Sequence, residues 1–172
     1  VGWTLEPLMD ETVALVQAAL SMIGREATVS RVSFRDLYRQ QLGVDPMTAD
    51  LETVRNAAAG IAIDGDGLTR DDWLDLLMTH RLQPTFGHDQ IRVVHDYPAS
   101  QCALAKVVER DGVPVAERFE LYLGPLELAN GYHELTDAAE QRVRFERDVA
   151  TRSVRGEGAP AIDEGLLAAL AH

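Results

Sequence analysis

Glu120 and Glu127 stand on either side of Gly124-Pro125, within a run of alternating polar and apolar residues. If Gly124 and Pro125 are the turn, Leu123 pairs with Leu126 and Tyr122 with Glu127, and directly paired residues share one face of a sheet. One face then carries Arg118, Glu120, Tyr122 and Glu127; the other carries Phe119, Leu121, Leu123, Leu126 and Leu128, an apolar set that helices must cover. The two glutamates become diagonal neighbours, their backbones about 7–8 Å apart. A carboxylate pair at that spacing suits a hard divalent cation. Mg²⁺ binds through few carboxylates and completes its shell with substrate phosphates, so a nucleoside triphosphate is its natural co-ligand. On composition alone the favoured account is blander: the water-facing side of an amphipathic sheet, where exposed Glu is common.

Asn130, Tyr132 and Glu134 follow at alternating positions, but strict alternation sets them opposite Glu127. A one-residue bulge near Ala129 or Gly131 swings them onto the carboxylate face, and bulges with small residues often lie beside active sites. We expect that bulge. Asn130 then suits the polar end of an amino acid, Tyr132 an aromatic wall or a cation–π contact, and Glu134 an ammonium group.

These residues need a frame. Pro7, with Asp10 and Glu11 in the opening turn and Leu8, Leu15, Val16, Ala19 and Ile23 at helical spacing, predicts a helix over 6–23. Residues 25–88 read as a small all-helical section: Ser33 and Asp36 open a helix that ends at Gly43, Leu51, Val54 and Ala58 mark a second, and Thr69 with Asp72 opens a third. His80 is expected on that helix's surface. Asp64-Gly65-Asp66-Gly67 fails as a calcium loop, because the positions that need Asp or Asn, Gly and Glu hold Leu68, Thr69 and Asp75. From residue 91 the period becomes alternating. Strands over 91–97, 103–110, 115–123 and 126–135, with turns at Asp111-Gly112 and Gly124-Pro125, predict an antiparallel meander over 91–135. Asp137 and Glu140 open a helix over about 138–154, within a helical stretch 137–171. Its arginines (Arg142, Arg144, Arg147, Arg152 and Arg155) read as a solvated face paired with Glu140, Glu146 and Asp148.

The whole is an α+β protein of one domain, 172 residues long and 46% apolar. No apolar run approaches the roughly 20 residues needed to span a bilayer, so no membrane partner is expected. A single cysteine, Cys102, excludes an intramolecular disulfide, and a cytoplasmic location is the default. Sixteen basic against 28 acidic residues give a net charge of −12, which opposes nucleic-acid binding and favours a small-molecule or protein substrate. Val1 is not an initiator Met, Gly2-Trp3-Thr4 reads as the tail of a strand, and 166–172 as a helix that stops, so a fragment is expected.

Glu117-Arg118-Phe119-Glu120-Leu121-Tyr122 and Glu127-Leu128-Ala129-Asn130-Gly131-Tyr132-His133-Glu134-Leu135-Thr136-Asp137 resemble the last large strand pair of class II lysyl-tRNA synthetases. They are closer still to the stand-alone relatives that join (R)-β-lysine to elongation factor P. His133 and Thr136 favour that branch, as does Asp96-Tyr97-Pro98-Ala99-Ser100-Gln101. The resemblance implies a partial class II catalytic core with a helical insertion. It also implies ATP-dependent activation of lysine or β-lysine as the adenylate, and transfer to a lysine of elongation factor P. It sets Glu120 and Glu127 at Mg²⁺–ATP, the Leu128 backbone near the adenosine, Asn130 and Tyr132 along the amino-acid site, and Glu134 on the distal amino group. It implies a homodimeric parent. The phosphate-clamping arginines of the second and third class II motifs find no match: Glu117-Arg118-Phe119-Glu120 and Val143-Arg144-Phe145-Glu146 imitate the former loosely. The chain alone is therefore expected to be inactive. Two other readings stand beside this one, a tRNA-charging synthetase core and a non-catalytic synthetase-like binding module.

Overall fold

The computed structural model describes residues 2–63, 65–154, 156, 158 and 161–170. They fall into two compact units, residues 1–133 and 134–172. The first is a mixed α/β layer structure with a mostly antiparallel sheet. In chain order it holds α1 (Leu5–Met22), β1 (Thr28–Ser33), α2 (Phe34–Leu42), α3 (Leu51–Ala57) and α4 (Arg70–Leu77). Then come a π-helical turn (Met78–Leu82), β2 (Gln90–Pro98), β3 (Val107–Arg110), β4 (Val113–Leu123) and β5 (Leu126–Tyr132). The second unit holds α5 (Ala138–Val154) and α6 (Glu164–Leu170).

Helix boundaries follow their caps. Ser33 accepts from the Asp36 amide at the start of α2, and Gly43, in left-handed conformation, ends it. Thr69 and Asp72 form a reciprocal capping box on α4. Asp137 accepts from the Ala139 and Glu140 amides ahead of α5, where Arg142 pairs with Glu164 and Arg144 with Glu140. Arg155 of the expected arginine face, Asp64 of the polar turn, and Ala171 and His172 lie outside the described residues. Among the described residues no helix is long and apolar enough to cross a membrane.

The strands depart from the expected layout in four ways. The 25–88 section is not all helical: Thr28–Ser33 is an edge strand running parallel to β2. Nor is 91–135 a simple meander. β2 pairs directly with β4, and the other edge of β4 is shared end to end by β3, along 113–116, and β5, along 118–123. Residues 103–106, read as strand, carry instead a turn at Ala103, whose φ is 46°. Gly2-Trp3-Thr4 forms no strand.

The sheet separates two cores. α1 lays Leu5, Met9, Val13 and Leu20 on Ile91, Val93, Phe119 and Leu121. On the other face α2, α3 and α4 pack Phe34, Leu37, Tyr38, Val54, Leu74 and Leu77 around Val94, Tyr97, Ala116 and Tyr122. Leu126 and Leu128, assigned to the covered apolar face, are exposed, Leu126 beside the hairpin turn and Leu128 unpaired in the β4–β5 ladder.

Candidate functional site

Two irregularities decide which side chains meet. Leu121 pairs with Ala129 but Tyr122 with Glu127, so Leu128 is an extra residue in β5. The bulge thus sits at Leu128, just ahead of the expected Ala129 or Gly131. It brings Asn130 opposite Glu120 and Tyr132 opposite Arg118, on the face of Glu127. In β2 the register shifts between His95 and Tyr97, where Asp96 takes a φ of 56°. Tyr97 thereby pairs with Ala116 and joins the same face. Beyond Tyr132 the returning strand is pinned: the His133 amide donates to the Glu117 carbonyl at 2.9 Å, and the His133 carbonyl accepts from the Lys106 amide at 2.8 Å.

This face and α4 enclose a cleft of about 440 Å³. Glu120 lies at its floor, 8% exposed. Arg118 donates Nη2 to its Oε1 at 2.5 Å, and the Tyr122 hydroxyl donates to Oε2. Arg118 also donates Nη1 to the Gln101 carbonyl at 3.1 Å, with its guanidinium 4.6 Å from the Tyr97 ring centroid and 5.8 Å from that of Tyr132. Gln101 donates Nε2 to Asp75 Oδ1 at 2.9 Å. Asp75 keeps an exposed edge, and partial desolvation of its carboxyl raises it to about 6, against the opposing effects of the Gln101 hydrogen bond and the Arg118 charge. Desolvation, and then the Glu120 charge, raises Glu127 above the usual carboxylate range. Tyr97 lines this cleft, 3% exposed, with its hydroxyl beside Glu120 and Tyr122; burial, and then the Glu120 charge, raises it well above its ordinary value.

Of the residues singled out from the sequence, Glu120 and Glu127 line the cleft. Tyr132 is half-buried, and the cation over its ring is the protein's own Arg118. Leu128 and Asn130 are exposed and lie beside the cleft lining rather than in it. Glu134 is exposed and belongs to the second unit. The pattern missed Asp75, Tyr97 and Gln101 as site residues. Tyr97 and Gln101 were within reach, since both belong to the Tyr-Pro-Ala-Ser-Gln run already set apart. Asp75 had no signal: it is one acid on a helix, 45 positions upstream of Glu120.

A model of the class II tRNA synthetases (D, K and N) matches residues 4–172. Among curated proteins, the chain is 40% identical over 166 residues to the elongation factor P–(R)-β-lysine ligase of Enterobacter sp. (strain 638), covering 95% of this chain and 50% of that protein. The ligase of the same name from Yersinia enterocolitica is 41% identical over 168 residues, covering 96% and 50%. That of Klebsiella pneumoniae (strain 342) is 40% identical over 166 residues, covering 95% and 50%. The chain spans about half the length of the curated relatives it matches.

Proposed function

This chain belongs to the class II tRNA synthetases of the D, K and N group, and we propose that it serves an ATP-dependent ligase that activates (R)-β-lysine or lysine as the adenylate and transfers it to a lysine of elongation factor P. The relatives' names support that substrate pair. The observation that carries the reading is the convergence of Glu120 and Glu127, with Arg118 between Glu120 and two tyrosine rings, on one cleft. A cytoplasmic setting and a homodimer belong to the same proposal.

The donor set fits Mg²⁺. Among the described residues no cluster of three or more His, Cys, Asp or Glu is built to cage a metal, and Mg²⁺ prefers one or two carboxylates plus phosphate oxygens. Glu127, raised by desolvation and then by the Glu120 charge, gains from a cation there. Glu120 and Glu127 would hold the ion, which when bound supplies charge neutralisation to the triphosphate. Arg118 and Tyr122 fix the direction of the Glu120 carboxylate, so its oxygens are set before nucleotide arrives. Leu128, the bulge residue, holds backbone groups outside the ladder, which suits contact with the adenosine. Asn130 and Tyr132 would flank the amino acid and Glu134 would take its distal ammonium. Catalysis is then positioning for in-line attack of the carboxylate on the α-phosphate. A net charge of −12 favours a protein acceptor over tRNA.

ATP–pyrophosphate exchange by the full-length gene product, with (R)-β-lysine and with lysine, tests the reading. Acylation of elongation factor P is followed in parallel with charging of lysine tRNA. Exchange dependent on a diamino acid, acylated elongation factor P, and a loss of roughly a hundred-fold or more in Glu127→Gln are expected. Charged tRNA with unmodified elongation factor P would reverse the acceptor assignment.

A further inference from the structure

Behind the cleft floor, on the sheet face that carries Phe119 toward α1, a chain of charged and polar side chains ties the strands together. Glu117 and His133 each adjoin a residue of the cleft face, Arg118 and Tyr132, and strand alternation turns them to the back. Glu117 Oε2 lies 2.5 Å from His133 Nδ1, and His133 Nε2 lies 3.3 Å from Lys106 Nζ. Glu117 Oε1 accepts from Arg110 Nη2 at 3.1 Å. Arg110 Nε stands 3.1 Å from Asp96, the irregular residue of β2, which also meets His95 Nδ1 at 3.1 Å. The backbone repeats the contact, since the Lys106 carbonyl accepts from the Glu117 amide at 2.8 Å. Glu117 and His133 are largely screened from water, at 12% and 23% side-chain exposure.

The donors present fix where the ring proton sits. A lysine ammonium has three donors and no acceptor, so the atom it meets, His133 Nε2, must offer its lone pair. The proton is then on Nδ1 and is donated to the Glu117 carboxylate. His133 is thus a neutral bridge between an anion and a cation. We infer that His133 and Lys106 are positioning residues of the acyl-activation reaction, holding the 101–106 segment against β4 and the end of β5 through the Nδ1–H tautomer of His133. This rests on the ligase reading, and both residues stand outside the cleft lining. The line of action is short. Lys106 ends a turn in which the Ala105 amide donates to the Cys102 carbonyl at 2.8 Å, and Gln101, at the start of that turn, gives its carbonyl to Arg118. Arg118 in turn directs the Glu120 carboxylate. With Lys106 unclamped the turn drifts, Arg118 loses the Gln101 anchor, and the Glu120 oxygens lose their fixed direction. Misplacement of that kind lowers turnover more than binding.

Two measurements on the full-length gene product test this: ¹⁵N spectra of its histidine side chains, and ATP–pyrophosphate exchange with (R)-β-lysine and with lysine. At neutral pH the His133 ring, assigned by its loss in His133→Gln, is expected as the Nδ1–H tautomer. Lys106→Met is expected to lower kcat about ten-fold, with KM for ATP and for the amino acid moving by no more than about three-fold. Lys106→Gln keeps an N–H for Nε2 without the charge, and should return kcat to within about two-fold of the wild type. Active-site titration separates a loss of folded enzyme from a loss of turnover per site. Lys106→Met combined with His133→Phe should be no slower than His133→Phe alone, because the two changes break one bridge. An Nε2–H ring in the wild type, a Lys106→Met kcat within about two-fold of the wild type, or a Lys106→Gln as slow as Lys106→Met overturns the inference and leaves the ligase reading standing. If the wild type exchanges with neither amino acid, the ligase reading falls and takes the positioning role with it.

Discussion

Arg118 organises more of the cleft than either glutamate that first drew attention. It binds Glu120, caps the Gln101 carbonyl and lies against two tyrosine rings. Both members of the Arg118–Glu120 pair are largely buried, at 17% and 11% side-chain exposure. Removing one partner of such a pair leaves the other charge stranded, at a cost of about 3–5 kcal/mol, while replacing both costs far less. Arg118→Ala should therefore destabilise the chain by about 3 kcal/mol in urea unfolding, and Arg118→Met combined with Glu120→Gln should recover most of that. Near-additive losses would mean the ion pair is not what holds the floor. Asp75 predicts the opposite sign. Its carboxyl titrates near 6 when folded, above its ordinary 3.8, so the folded chain binds more protons between those values and loses stability as pH rises through them. Asp75→Asn should melt higher than the wild type at pH 8 and at about the same temperature at pH 4.

The β4–β5 hairpin converts a local irregularity into a site. Past the bulge at Leu128, Gly131 pairs with Phe119: a Cβ there would lie 2.3 Å from Phe119 Cε1 and 2.6 Å from Cζ, so the ring occupies the space that only a glycine leaves. Phe119 is 1% exposed and wedged against α1, with nowhere to retreat. Gly131→Ala should cost about 1–3 kcal/mol by thermal melt, as overpacking of a tight core does, and should weaken ATP binding through the displaced strand. An unchanged melting temperature would show that the ring moves freely. The alternating run and the Gly-Pro turn made this hairpin legible in the sequence, and the cap residues Ser33, Thr69 and Asp137 made the helix starts so. β1 was not legible, for a physical reason. Thr28–Ser33 is an edge strand with no fully buried position, so it carries no hydrophobic alternation of its own and owes its form to pairing with β2, some 60 residues away. Direct pairing of β2 with β4 was hidden for the same kind of reason, since β3 is only four residues long and partner choice is non-local. Asp75 reaches the cleft by tertiary packing of α4, anchored through Leu74, Leu77 and the Tyr38 hydroxyl bonded to the Leu74 carbonyl at 2.6 Å.

Across the whole chain, charge bears on the proposed choice of acceptor. With 28 acidic and 16 basic residues the surface repels a polyanion at long range, and the arginines of α5 do not offset this where Arg142 and Arg144 are paired with Glu164 and Glu140. A tRNA acceptor would have to find a basic track to release counterions, and its affinity would then fall steeply with salt. A protein that offers a lysine is attracted by the same field, and that attraction is screened over about 8–10 Å at physiological ionic strength. The expected behaviour follows. On the proposed reading, kcat/KM of the full-length gene product for acylation of elongation factor P should decline gently, by roughly a few-fold between about 0.05 and 0.5 M salt, as steering is lost, while retention of lysine tRNA should stay at the non-specific level, with a dissociation constant on the order of 10⁻⁴ M or weaker at about 0.15 M salt. Filter binding and initial-rate acylation across that salt range measure both. A tRNA affinity that is tight at low salt and drops by orders of magnitude across the series would mean that a basic track exists after all, and that the bulk charge is a poor guide to this molecule's partner.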